Sequence, residues 1–356
     1  MRGIGQSLIL DGLRSIRHAG QFSAFIHGVP LTLPTGERLH LKITRSTLIP
    51  RDACFSFSPY TFLTEITGGG MTESGCGESD LKLIALQKSI SEAVERILFR
   101  SLKGSNFGTT TSNGWAAHFN RDQCERAAYM ELLERDAALV HWLTETPFLE
   151  IDIKTAPLWI RTWAKDQLSQ SEFPHLRILL SSVGHVPTIS TLFQNKTGMG
   201  VVSHAASLGI EQSLTRALLE TGRIAQIAVS ERYRHTSGRL LSGESRVLPT
   251  GPFEQAVTYA HHHPFPDWIF GKVVSWTEAM AYWRAHARQF QAKPIRYEFH
   301  EIVRAPLSVG FCTSPDIQEL FFGRTSDALR RGVINRTRLG VLNPSGNFNE
   351  LPHFVA

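Results

Sequence analysis

Apolar residues recur at three- and four-residue intervals over Asp80 to Leu102, Arg121 to Leu143, Glu211 to Val229 and Trp276 to Gln291, the repeat of a helix that buries one face. Stretches rich in Ile, Val, Leu and Thr over Leu39 to Thr44, Leu176 to Ser181, Val186 to Phe193 and Ile295 to Val303 predict strands. The two patterns mix without strict alternation, which predicts an α+β layer architecture. One helix stands apart. AAYMELLERDAALVHWL is apolar on nearly every side of its ELLERD insert, so it is expected to be buried all round. Leu8, Leu13 and Ile16 predict a packed amphipathic helix at the start. The segments TGGGMTESGCGES, GTTTSNG and SGRLLSGESR interrupt the pattern, and none is long enough for a clear linker.

Composition narrows the class. With 356 residues, 42% of them hydrophobic and only 19% charged, the chain has material for one large domain or two ordinary ones and is not a disordered tail. The net charge of +5 is too small to argue a nucleic-acid partner. Most of that excess is local: Arg324, Arg330, Arg331, Arg336 and Arg338 stand against Asp327 alone. Arginine forks suit phosphate or carboxylate, so this segment reads either as a contact for an anionic ligand or as solvated surface. Cys54, Cys76, Cys124 and Cys312 are too few and too scattered for a disulfide framework. They read as reduced thiols of a cytoplasmic protein, and no apolar run reaches the length of a membrane span. His261 to His263 are adjacent and cannot easily face one metal together.

The chemistry lies in glutamates that share one helical frame. Ser89-Ile-Ser-Glu92-Ala-Val-Glu95-Arg96, Ala128-Tyr-Met-Glu131-Leu-Leu-Glu134-Arg135 and Ala217-Leu-Leu-Glu220-Thr-Gly-Arg223 each place charged side chains at i and i+3, one turn apart on a single face. On a solvated helix this is ordinary surface. On the apolar second helix it is not, because two carboxylates ~6 Å apart at an effective dielectric of ~20 repel by roughly 3 kcal/mol. Burial then demands a cation or protonation. Clustered oxygen ligands without Cys or His point to Mg²⁺, which commonly serves a nucleoside triphosphate. No GxxxxGK[ST] loop and no kinase HRD or DFG set accompanies them. Gly68, Gly69, Gly70, Gly75 and Gly77 offer a glycine-rich turn where backbone amides could approach phosphates.

ALQKSISEAVER resembles the SxxExxER motif of YcaO proteins, and TSNGWAAHFNRDQCERAAYMELLERDAALVHW resembles their block ending in a glutamate-rich ERD helix. GMGVVSHAASLGIEQSLTRALLE is similar to their third block, a Gly-x-Gly turn leading to a "RAl.E" helix. The resemblance runs from about Ile66 to Gln226 and more loosely beyond. It implies a YcaO-like α+β fold over residues 66–356, preceded by an N-terminal segment of the same fold over 1–65. It also implies an ATP- and Mg²⁺-dependent enzyme that activates backbone amides of a ribosomally made precursor peptide. A nucleophile attacks the amide carbonyl, ATP phosphorylates the resulting oxygen, and phosphate departs. A Cys, Ser or Thr side chain of the substrate gives a thiazoline or oxazoline ring; exogenous sulfide gives a thioamide, and an amine an amidine. Carried over by position, Glu92, Glu95, Glu131 and Glu134 hold Mg²⁺, while Ser89, Arg96, Asn113, Arg135, Glu220 and Arg223 contact ATP or orient its ligands.

Two features depart from the family pattern. Glu220 is followed by Arg223, with Gln226 a further turn on, where the family carries Gln and then Arg. The end Leu351-Pro352-His353-Phe354-Val355-Ala356 starts like the family's proline-rich tail and then loses it. Both leave open a degenerate, non-catalytic scaffold subunit. The first motif begins at residue 89, which leaves too little chain for a peptide-binding winged helix, so the resemblance implies a separate leader-binding partner. A flavin-dependent dehydrogenase that aromatises the ring and a homodimer are further implied partners. His118, His141 and His204 read as satisfied core histidines, Cys76 and Cys124 as packing or loop residues, and no general base is assigned.

Overall fold

The computed structural model describes residues 31–33, 35–49, 60–103, 111–169, 171–184, 186–229, 263–289, 296–301, 307–321, 324–350 and 353. Leu8, Leu13 and Ile16, Cys54, the polar stretch near residue 240, His261, His262 and all of the C-terminal tail except His353 lie outside them. The chain divides into two units. The first takes Met1–Asp52, Ser58–Tyr129 and Ile295–Thr313, the second Ala53–Phe57, Met130–Pro294 and Ser314–Ala356.

In the first unit β1 (Leu31–Thr32) pairs with β2 (Arg38–Leu39), and β3 (Lys42–Ile49), β4 (Tyr60–Gly68) and β5 (Met71–Ser79) form an antiparallel sheet in that order. The strand expected over Leu39 to Thr44 is therefore split between β2 and β3. Along β4, Phe62, Thr64 and Ile66 point inward and are buried, alternating with half-buried neighbours, as a strand with one covered face requires. Helix α1 (Lys82–Leu102) covers that face and buries Ala85, Leu86, Ile90, Ala93, Val94 and Ile97 at helical spacing.

The glycine-rich segment is a correction. It is not an open loop but the β4–β5 hairpin: Gly69 and Gly70 make its turn at positive φ, and Gly75 and Gly77, on β5, serve packing. A Cβ on Gly75 would lie 2.1 Å from the Ser89 carbonyl oxygen, and one on Gly77 would lie 2.0 Å from that of Ala85. Only a residue without a side chain lets the strand run that close to α1. A second antiparallel sheet, ordered β12 (Arg296–Glu301), β13 (Ser308–Thr313), β6 (Trp115–His118), completes the unit, with Trp115 stacked on Phe311 at 4.9 Å between ring centroids.

The second unit is built on a five-stranded sheet ordered β10 (Gly200–Ala206), β9 (Thr188–Gln194), β8 (His175–Leu180), β7 (Phe148–Ile151), β11 (Phe270–Val274). Its neighbours are antiparallel except β7 and β11, which run parallel. Every residue of β9 and β10 is buried, so both faces of the sheet are covered. On one face Ile178, Leu180, Ile189, Phe193 and Val201 pack with Leu214, Ala217 and Leu218 of α4 (Ile210–Val229); α3 (Leu158–Trp163) and α5 (Trp276–Gln289) join that layer. On the other, Leu179, Leu192 and Val202 pack with Ala138, Leu139, Trp142 and Leu143 of α2 (Arg121–Thr144). The short helices α6 (Thr325–Arg330) and α7 (Arg336–Gly340) add Ala328 and Leu339 to the same core. The α+β expectation holds, and so does the burial of the second helix.

Candidate functional site

Helix α2 carries its charges where a buried helix can least tolerate them. Glu134 is 4% exposed, Glu131 is half-buried, and Arg135 follows with its side chain 12% exposed. The amide of Ala206, at the end of β10, donates to Glu134 Oε2 at 3.1 Å. The carbonyl of the same residue accepts from Arg216 Nη1 at 3.0 Å. One residue, through the N–H of one peptide unit and the C=O of the next, thus ties the α2 carboxylate to α4. Further along α4, Glu220 pairs with Arg223 at 3.4 Å. The second and third copies of the sequence repeat therefore meet in space: Glu131, Glu134, Arg135, Glu220 and Arg223 act on one another electrostatically.

The field of this cluster is not neutral from the carboxylates' side. Burial first, then the mutual repulsion of Glu131, Glu134 and Glu220, holds Glu131 and Glu134 well above the ordinary glutamate range, although Arg135 and Arg216 pull the other way. Burial opposes the charge of Arg135, but Glu134, Glu220 and Glu131 outweigh it and raise its pKa. Arg135, Arg216 and Arg223 thus match Glu131, Glu134 and Glu220 in number, and it is burial that keeps the proton affinity of Glu131 and Glu134 high. Arg135 Nε, buried 4.0 Å from Glu134 Oε1, has no hydrogen-bond partner among the described residues. Among the described residues no three His, Cys, Asp or Glu side chains converge as a ready-made metal cage. Glu131 and Glu134 are oxygen donors of the kind Mg²⁺ takes, with phosphate and water completing its shell. Oxygen donors whose charge burial disfavours and an unpartnered guanidinium N–H fit a magnesium–polyphosphate ligand.

The first motif lies in the other unit and is organised by the β5 glycines. The Cys76 amide, between Gly75 and Gly77, donates to Glu92 Oε2 at 2.6 Å. Arg96 Nη2 donates to Glu92 Oε1 at 2.5 Å, and its Nη1 donates to the Ser74 carbonyl at 2.9 Å. Glu95 is half-buried, and its charge helps burial push the Cys124 thiol up to about 12. Ser89 is fully buried; its hydroxyl is 2.7 Å from that of Thr64 and donates to the Leu86 carbonyl at 2.9 Å, which ties helix to strand. Asn113 is 5% exposed, in the turn where Gly114 takes a φ of 78°, and neither its Oδ1 nor its Nδ2 has a partner among the described residues. A buried amide left unsatisfied is costly, and a ligand would satisfy it.

The histidines are structural. Both ring nitrogens of His141 are engaged, by the Thr146 carbonyl at 2.6 Å and the Ser181 hydroxyl at 3.0 Å, and burial lowers its pKa to about 3. His204 meets Ser190 Oγ at 2.6 Å and is held well below its ordinary value by burial and then by Arg135. Burial and Lys88 lower His118, whose Nδ1 accepts from the Asn120 amide at 3.0 Å. Cys124 shares its thiol between the Ala116 and Ser308 carbonyls. The arginine-rich segment is corrected in part: Arg338 is an interior residue paired with buried Asp136, and Arg330 is paired with Asp327. Arg216 is the residue that sequence reasoning passed over. Its signal is its place in TRALLE, four residues before Glu220.

The sequence profile of the family described as YcaO cyclodehydratase, ATP- and Mg²⁺-binding, matches residues 85–289. No curated protein sequence matches the chain. Among solved structures, YcaO from Methanopyrus kandleri bound with AMPPCP and Mg²⁺ is similar over 87% of this chain and 89% of its own, with 11% identity and a TM-score of 0.53. A heterocyclase in complex with substrate and cofactor is similar over 87% of this chain and 54% of its own, with 12% identity and a TM-score of 0.52. At such identities the likeness is one of fold. The profile spans more than half of the chain, including α1, α2 and α4 with their glutamates, and the chain belongs to the YcaO family of ATP- and Mg²⁺-binding proteins.

Proposed function

We propose that the chain is an ATP- and Mg²⁺-dependent cyclodehydratase that forms thiazoline or oxazoline rings at Cys, Ser or Thr of a ribosomally synthesised precursor peptide, with a separate protein binding the leader. The observation that carries this reading is the pair Glu131 and Glu134, half-buried and buried, whose proton affinity burial raises even beside Arg135 and Arg216. ATP supplies the phosphoryl group that makes the amide oxygen a leaving group, and Mg²⁺ neutralises its phosphates. Glu92, Glu95, Glu131 and Glu134 are the proposed metal ligands. Arg96, Asn113, Arg135, Glu220 and Arg223 are proposed to hold the nucleotide or to orient those ligands, and Arg216 fixes the β10 peptide that positions Glu134. None of these groups is a nucleophile; that belongs to the peptide. Their contribution is positioning and charge neutralisation, the main source of rate in phosphoryl transfer.

Calorimetric titration with MgATP tests the reading. Binding is expected in the native chain, weakened about ten-fold or more by Glu92→Ala or Glu131→Ala. ADP release is expected to depend on the precursor peptide, with loss of one water per ring. No binding, or binding indifferent to both substitutions, leaves a scaffold subunit in its place. Exchange of oxygen for sulfur in the peptide identifies a thioamide-forming enzyme instead.

A further inference from the structure

Asp136 stands two residues after Glu134 yet belongs to the opposite side of α2. At 3.6 residues per turn it lies about 140° to 200° round the helix from Glu131 and Glu134. Its carboxylate is 0% exposed, and it is held by three donors from the C-terminal segment. Arg338 Nη2 donates to Oδ2 at 2.9 Å, Arg338 Nε donates to Oδ1 at 3.3 Å, and the Gln318 amide donates to Oδ1 at 2.8 Å. The partners are themselves fixed. Arg338 Nη2 also donates to the Val183 carbonyl at 2.8 Å; Gln318 Oε1 accepts from the Asn335 amide at 2.8 Å; and Asn335 Oδ1 accepts from the Arg338 amide, capping α7.

A two-pronged guanidinium–carboxylate contact resists rotation in a way that apolar packing does not. The difference matters for Mg²⁺, which demands near-ideal octahedral geometry. At a side-chain radius of ~5 to 6 Å, a turn of α2 by ~10° moves a carboxylate by ~1 Å, a displacement that costs ~100-fold in a positioned reaction. We propose that Asp136 and Arg338 are positioning residues: their fork sets the rotation of α2 about its axis, and so sets where Glu131 and Glu134 present their carboxylates to Mg²⁺. This rests on the metal role assigned to those glutamates.

The test separates positioning from stability. A buried ion pair replaced by apolar residues of similar volume is often no less stable, so Asp136→Leu with Arg338→Met is expected to keep the native melting temperature while losing the fork. Two readouts follow. In the apo protein, the near-UV circular dichroism of Trp142, on α2 and 5.4 Å from Trp268, changes. In nucleotide binding, the Mg²⁺ concentration for half-saturation rises about ten-fold, with Arg338→Lys intermediate because it keeps the charge and loses the fork. Native Mg²⁺ half-saturation and an unchanged Trp142 signal in the double variant overturn the proposal and reduce the pair to a fold contact. If the double variant does not fold, Arg338→Lys decides by the same two readouts. Absence of Mg²⁺-dependent binding in the native chain overturns the functional reading instead, and the metal role of this pair with it.

Discussion

Glu134 shows how far a single side chain can report on a missing ligand. Its proton affinity, like that of Glu131, is raised chiefly by burial above the value of 4.5 that it has in the unfolded chain. Between that value and the raised one the folded state holds more protons, so the stability of the metal-free protein falls as pH rises through this window. Each ten-fold difference in proton affinity corresponds to ~1.4 kcal/mol, or roughly 2 to 4 °C in melting temperature. Melting curves are therefore expected to slope downward between pH 6.5 and 8 without Mg²⁺ and nucleotide, and to flatten when both are present; below 6.5 the buried His141 and His204, neutral in the fold and protonated in the unfolded chain, act in the opposite sense. Glu134→Gln, neutral at every pH, removes its own share of the slope, leaves that of Glu131, and weakens the ligand's effect; a slope unchanged by Glu134→Gln refutes the assignment. At this scale the sequence was informative where residues share a helix. Glu131, Glu134 and Arg135 are legible as one set from spacing alone. Arg216 was not, because its contact is to a strand carbonyl, and the 202 residues between Asp136 and Arg338 leave no local signal.

The close contact of β5 with α1 belongs to the scale of elements. A methyl group at Gly75 would meet the Ser89 carbonyl oxygen at 2.1 Å and the Ala93 nitrogen at 2.4 Å, both backbone atoms of α1 that cannot swing aside. Gly75→Ala must push strand and helix apart, which also lengthens the Cys76–Glu92 bond. Overpacking of this kind costs about 1 to 3 kcal/mol, measurable by denaturant unfolding, and a nucleotide affinity that depends on Glu92 should fall with it. Gly70→Ala, with nothing within 4 Å but a φ of +76°, is the contrasting case: it strains the turn and leaves the Glu92 contact in place. The helices α1, α2 and α4 were legible because apolar periodicity is long and strong in each. Strand β5 was not, since MTESGCGES carries no apolar alternation; its inward positions are glycines filled by the helix. The same residues that hid the strand suggested a phosphate loop.

For the whole molecule the distribution of charge is the remaining lever. Four of the five excess positive charges fall between residues 324 and 338, but they are not equivalent. Arg338 is an interior residue bound to Asp136, whereas Arg324, Arg330, Arg331 and Arg336 are exposed, Arg330 also reaching Asp327. Arg135 and Arg216 act on Glu131 and Glu134, and Arg223 pairs with Glu220, so in the proposed function nucleotide affinity does not call for the exposed set. What exposed arginines supply is attraction for an anionic partner, effective within the ~10 Å Debye length at 0.1 M salt and lost at high salt. A precursor peptide with an acidic stretch is a partner of that kind. Arg330→Glu with Arg331→Glu is expected to leave MgATP affinity and melting temperature near native values and to weaken peptide binding several-fold at low salt. The difference should disappear in 1 M salt. A loss of MgATP affinity in this variant would instead place the segment at the nucleotide, and unchanged affinity for both ligands would make it plain surface. Because the two exposed residues contribute nothing to the buried pair of Asp136 and Arg338, the outcome bears on substrate capture alone and is independent of the rotation of α2.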